Sequence, residues 1–185
     1  MPSPVGHSLA AVAVGWIVAR PAPVGRALAV QAGILIGVAL SPDLDLLFGR
    51  HSRETHSVGA GVVVASIAAI MRWPVAQDRW RIFLAVLLAY LSHPLLDALS
   101  RDTSSPFGVM AFWPFSSAHF TTGLNLFMPI WRRWWVSGFL SHTIIAVSRE
   151  IAIMAPIAWL VWWRRSERRV VESERRGFRP GGPRT

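Results

Sequence analysis

Formal charge is absent from long stretches of the chain and crowded into short ones. Met1–Ala19, Ala27–Pro42 and Ser57–Met71 carry no charged residue, and Ile82–Leu96 stays uncharged until Asp97. A last apolar stretch, Trp134–Trp163, is interrupted only by Arg149 and Glu150. Little of any run is polar enough to face water, so these helices are not the one-sided kind that coat a soluble core. Most runs fall short of the roughly 20 residues of a standard membrane span. Polar uncharged neighbours must extend them, or some are tilted or re-entrant. The pattern predicts five crossings, at residues 5–19, 27–41, 58–71, 82–99 and 139–163. The competing architecture is a soluble bundle with buried helices.

The breaks have physical causes. Arg20-Pro21-Ala22-Pro23 separates the first two runs, and Trp73-Pro74 closes the third. Ser41-Pro42 is expected to end the second, because a residue before Pro avoids helical geometry. Residues 103–133 form a long connection. Pro106, Gly108, Pro114, Gly123 and Pro129 interrupt it, while Phe112, Trp113, Phe115, Phe120 and Phe127 keep it apolar. The fold class read from this is all-α: a membrane helical bundle of about five short apolar helices with a long aromatic-rich interfacial loop. Residues 1–163 form the membrane-embedded domain. Residues 164–185 form an Arg-rich polar tail, expected to lose order toward Arg-Pro-Gly-Gly-Pro.

Composition strengthens the membrane reading. Hydrophobic residues make up 52% and charged residues 16%, against about 25% charged in soluble domains. There are ten Trp and one Tyr, and Trp favours the bilayer–water interface. Without cysteine, disulfides, zinc ribbons and thiol chemistry are excluded, and any metal must be held by His, Asp or Glu. The net charge of +9 comes with Arg as the sole basic residue. So basic a chain raises nucleic acid as a partner. Eight of the 19 Arg lie between Arg164 and Arg184, however, which fits a cytoplasmic tail better than a folded nucleic-acid surface.

Charge also orients the bundle. Alternating loops place Arg20, Arg26, Arg72, Arg79, Arg81 and the eight tail Arg on one face. The other receives Arg50, Arg53, Arg101, Arg132 and Arg133. The Arg-rich face is expected to be cytoplasmic. Met1–Ala19 lacks the basic start of a signal peptide, and its first Arg follows the apolar run, which places the N-terminus outside. Every candidate metal ligand falls at the Arg-poor end: His7, Asp43, Asp45, His51, His56, His93, Asp97, His119 and His142.

Three motifs stand out. Ser41-Pro42-Asp43-Leu44-Asp45 puts two carboxylates at a helix end, as a metal pair or as helix caps. His51-Ser52-Arg53-Glu54-Thr55-His56-Ser57 precedes an apolar helix and offers either a ligand at its start or a capping motif. His93-Pro94-Leu95-Leu96-Asp97 is the sharpest, because residues i and i+4 share a helix face. Ionisable residues within an apolar span are costly and usually functional. Pro94 either kinks this helix or starts a new turn. Asp45 or Glu54 is the candidate general base. Arg149–Glu150 reads as a buried charge pair.

The order Gly6-His7, Pro42-Asp43-x-Asp45, His51-x4-His56-Ser57 and His93-x3-Asp97 resembles the YdjM family over roughly residues 1–120. The resemblance implies a LexA-regulated, inner-membrane, metal-dependent hydrolase with His7, Asp43, Asp45, His56, His93 and Asp97 as metal positions. The ligand order is more distantly similar to zinc-dependent phospholipase C. That group adds a His-x3-Glu, whereas His142 is followed by Ala146 at the matching place, so one or two ions are expected rather than three. Mixed imidazole and carboxylate ligands suit zinc, with manganese or iron as alternatives. The expected chemistry is metal-activated water attacking an ester or phosphodiester of a lipid or lipid-linked substrate. The rival is a non-enzymatic membrane protein with a structural, regulatory or transport metal site.

Overall fold

A computed structural model describes residues 1–177 apart from Pro23, Arg50, Ser104 and Arg132, with side chains as far as Glu167. Residues 178–185 of the expected tail, and Arg50 and Arg132 of the Arg-poor face, lie outside the described residues. The chain is all-helical: α1 (Pro4–Ala19), α2 (Arg26–Leu40), α3 (Val58–Ile70), α4 (Arg79–Ala98) and α5 (Phe139–Gly177). Two 3-10 segments, Ser41–Phe48 and Glu54–His56, join α2 to α3.

Local sequence sets the helix starts. Ser3 caps α1, its hydroxyl accepting from the N–H groups of Val5 and Gly6, with Pro4 in the first turn. Ser57 caps α3 and Asp78 caps α4 in the same way. Two expectations about helix ends change. Ser41 does not leave helical geometry before Pro42 but carries α2 directly into the 3-10 segment. Proline in a first turn lacks only an N–H that needs no partner there, so the apolar run continues to Phe48. The last helix does not stop at Trp163; it runs on through Arg164 to Gly177. At 1.5 Å per residue, α5 is about 58 Å long and must project beyond any bilayer.

Helix α4 is central and packs against α1, α2 and α3, while α5 packs along α1. Small residues line these contacts: Ala10, Ala11 and Ala13 on α1, Ala65 and Ala68 on α3, and Ala85 and Ala89 on α4 are buried. A Cβ on Gly15 would lie 2.8 Å from Leu35, so glycine is what lets α1 and α2 touch there. Close approach over small residues is the usual way helices associate in lipid, where apolar area gives no driving force between them. Large apolar side chains point outward instead, among them Val63, Ile67, Leu95, Ile144, Ile157 and Trp159. Among the described residues, three helical stretches are long and apolar enough to cross a membrane: Arg26–Phe48, Arg79–Ala98 and Phe139–Glu167. Helices α1 and α3 are shorter apolar helices.

Each end of the bundle has its own lock. At the end holding the α1–α2 and α3–α4 connections, the buried Gln31 accepts from Trp16 Nε1 (3.1 Å) and Ala22 N (2.8 Å). Its amide donates to the carbonyls of Arg20 (3.0 Å) and Val75 (2.6 Å). At the opposite end the long connection folds back over the helix termini. Thr122 donates from N and Oγ1 to the Ala98 carbonyl, Leu126 N donates to Leu99 O, and Val58 N donates to Ala111 O. Isolated bridges Ser100–Phe127 and Val109–Phe120 hold the connection without forming a sheet. Exposed Phe107, Phe112 and Phe115 keep its surface apolar, as an interfacial segment requires.

Candidate metal centre

Four chain segments meet at this capped end. His7 comes from the first two turns of α1, Asp43 and Asp45 from the 3-10 extension of α2, His51 and His56 from the turn before α3, and His93 and Asp97 from the last turns of α4. Pro94 neither breaks nor restarts α4, which is continuous from Arg79 to Ala98. His93 and Asp97 therefore share a face as their spacing predicts, with His93 Nε2 3.2 Å from Asp97 Oδ2.

The ligand atoms form two adjoining groups. His7, His93 and Asp97 offer one atom each within 4.8 Å of one another, and so do Asp43, His51 and His56. The rings of His7 and His93 stack at 3.9 Å, and His7 Nε2 lies 3.4 Å from Asp97 Oδ1. The groups touch through His56, whose Nε2 is 3.2 Å from His93 Nε2 and 3.7 Å from Asp97 Oδ2. Asp43 Oδ1 sits at the junction, 3.5 Å from His93 Nε2, 3.6 Å from His56 Nε2 and 3.8 Å from His51 Nδ1.

Asp45 lies behind these ligands rather than among them. Its two oxygens approach His51 Nδ1 and His56 Nδ1, each at 3.3 Å, and Oδ2 accepts from Thr55 Oγ1 at 2.7 Å. It thus turns the Nε2 of His56 toward the centre, as outer carboxylates commonly orient metal-bound imidazoles. Burial pushes the His56 imidazole down, but the Asp43 and Asp45 carboxylates outweigh it and raise its pKa above the ordinary value. Tyr90 holds the same turn from α4, donating to the Thr55 carbonyl at 2.5 Å.

The cluster fits a divalent cation. His7 Nδ1 and Nε2, His93 Nδ1, Asp43 Oδ1 and both oxygens of Asp97 are buried without a hydrogen-bond partner. Each such atom costs about 1–3 kcal/mol when left unsatisfied, and several converging in one place is unusual. A divalent cation satisfies carboxylates and imidazoles together, and this oxygen and nitrogen donor set is one that zinc, manganese and iron accept.

All six expected ligands gather here, with Asp45 in an orienting place. His51, absent from the set implied by resemblance, joins them as a ligand candidate; its position in the His51-x4-His56 motif was the available signal. Glu54 is half-buried, and its carboxylate belongs to neither group. His142 stands apart, stacked on Trp131 at 4.1 Å with Nε2 2.7 Å from the Pro129 carbonyl.

Glu150 is not the partner of Arg149. It is fully buried against the start of α1, accepting from Ser3 N (2.7 Å), Ser3 Oγ and Gly6 N (3.1 Å). Arg149 is exposed. A buried carboxylate at the positive end of α1 is electrostatically favourable, and it fixes the turn that carries His7. A Cβ on Gly6 would fall 2.7 Å from Glu150 Oε2, which explains the glycine before His7. Glu150 lies about three turns into α5. The candidate metal centre therefore packs beside the first turns of α5, under the long connection.

A sequence model of the family described as YdjM inner membrane protein matches residues 1–171. The match reaches through most of α5, well past residue 120, and so includes Glu150. No curated protein and no solved structure matches.

Proposed function

The chain belongs to the YdjM inner membrane protein family, and on that membership together with the buried ligand set we propose that it is a membrane-embedded, divalent-metal-dependent hydrolase of esters or phosphodiesters. The observation that carries this reading is the meeting of His7, Asp43, His93 and Asp97 around buried polar atoms that make no hydrogen bond. His7, His93 and Asp97 would hold one ion, and Asp43, His51 and His56 a second, with zinc the first choice. Such an ion supplies Lewis acidity and a more acidic bound water.

The chain's own residues divide the remaining work. His7, His93 and Asp97 are buried throughout, the closed environment typical of a structural ion. The side chains of Asp43 and His51 are 30% and 15% exposed, so their group is the one open to water and substrate. Asp45, engaged by Thr55 and two imidazoles, orients. Glu54 of the same turn lies outside both ligand groups, which suits the general base. The closed character of the His7 group also favours the second reading, a structural or regulatory metal in a non-enzymatic membrane protein.

The proposed sidedness puts the metal centre at the non-cytoplasmic end and the α5 extension in the cytoplasm, following the Arg bias. A C-terminal reporter that proves external would overturn it. The chemistry is tested by metal analysis of detergent-purified protein and by hydrolysis of chromogenic ester and phosphodiester substrates. The expected result is bound metal in the wild type, lost with His93→Ala plus Asp97→Ala together with any hydrolysis. A wild type that binds no divalent metal would sink the hydrolase; metal without hydrolysis would favour the second reading.

A further inference from the structure

Two cavities of about 540 and 380 Å³ open beside the metal centre and share Thr103, Pro129 and Trp131 as wall residues. Together they form a trough between the long connection and the first turns of α5. Among the described residues its cations are Arg133 in one cavity and Arg101 and Arg149 in the other. Among the described residues none of these three arginines makes an ion pair, and all three are exposed. Asp102, the acid among the described wall residues, accepts from the Gly108 N–H at 2.8 Å.

Three guanidinium groups without an ion pair among the described residues line one trough, where a phosphate could meet them together. Arg149 lies exposed within the last apolar run, and Glu150 beside it is committed to α1. Guanidinium groups are the side chains best suited to phosphate oxygens. The trough also adjoins the metal centre through Met1. Met1 lines the larger cavity, its Sδ contacts His51 Nε2, and its carbonyl accepts from Ile130 N at 3.1 Å. Exposed Trp131, Trp134 and Trp135 mark headgroup depth at the same place.

The geometry points to a phosphate-ester binding site in this trough, in which Arg101, Arg133 and Arg149 hold the phosphate, borne on a lipid or free in solution, with one methionine between it and His51. As a substrate site it rests on the hydrolase reading; as a binding site it is measured apart from it. Exposed Leu140, Ile144 and Ile145 on the same stretch of α5 offer an apolar path for acyl chains.

The test is equilibrium binding to the full-length protein in detergent, with and without chelator. The probes are dioctanoyl phosphatidic acid, glycerol 3-phosphate and dioctanoylglycerol. Phosphatidic acid is expected to bind at least about tenfold more tightly than dioctanoylglycerol, and less tightly as salt rises. Arg101→Gln with Arg133→Gln, and separately Arg149→Gln, should each weaken it about tenfold, the scale of one charged hydrogen bond, with metal content unchanged. Glycerol 3-phosphate binding as well as the lipid identifies a soluble ester; binding far more weakly identifies a lipid. Equal binding of dioctanoylglycerol, or salt-insensitive binding unaffected by every variant that keeps its metal, overturns the site. Phosphate binding that survives in a protein holding no metal keeps the site and removes the hydrolase instead.

Discussion

The Nε2 atoms of His56 and His93 lie 3.2 Å apart, brought together from α4 and from the turn that precedes α3. Two imidazole nitrogens at that distance need a proton or a cation between them. Asp43 Oδ1 and Asp97 Oδ2 also face the pair, so the contact is the seam between the two ligand groups.

Removing either ring should therefore cost both groups. His56→Ala and His93→Ala are each expected to lower divalent-metal affinity by at least about tenfold, the lower range for losing a first ligand or its orienting partner. Asp45→Asn should reproduce part of that loss, because the Nδ1 sides of His51 and His56 would lose their carboxylate. Metal titration of the purified variants reads all three.

Metal binding should fall as pH falls. The raised pKa of metal-free His56 means that its proton persists to higher pH than an ordinary histidine's and must leave before a metal can bind. Affinity should rise as pH climbs through that raised pKa and level off above it. With one proton released per ion, the slope below is about tenfold per pH unit. A pH-independent affinity between mildly acidic and mildly basic conditions would contradict a ligand role for His56.

Glu150 is a positioning residue for His7. Glu150→Ala strands the Ser3 N–H in a buried site, at about 1–3 kcal/mol, and leaves the Gly6 N–H only its 3.4 Å contact with Ser3 Oγ. Lower melting temperature and weakened metal binding are both expected. Gly6→Ala should act in the same direction by pushing the carboxylate away. Metal affinity untouched by both changes would separate α1 capping from the centre.

Gln31 gives the converse control at the other end of the bundle. Gln31→Met keeps the volume but leaves Trp16 Nε1, Ala22 N and the Val75 carbonyl without their Gln31 partner. A loss of several kcal/mol is expected, on the order of 1–3 kcal/mol per stranded buried group. Metal content of the folded fraction should stay at the wild-type level, since Gln31 touches no ligand.

The apolar runs determined the helices to within a few residues, apart from the end of α5. Long apolar runs favour helices in a membrane protein, and proline and capping serines bound them, so α1, α3 and the start of α5 were readable directly. The spacing of His93 and Asp97 was equally readable, because a helix fixes which residues share a face. What lay beyond the sequence depends on packing between segments far apart in the chain. The helical continuation through Ser41-Pro42 needed the end of α2 to be seated against its neighbours. Asp45 could be told from Asp43 only once His51 and His56 were in place to be oriented, because two carboxylates two residues apart look alike in one dimension. Glu150 reads as the partner of its neighbour Arg149 until α1 is laid beside α5. The start of α1, 144 residues away at Gly6, then takes the carboxylate and leaves the guanidinium facing outward.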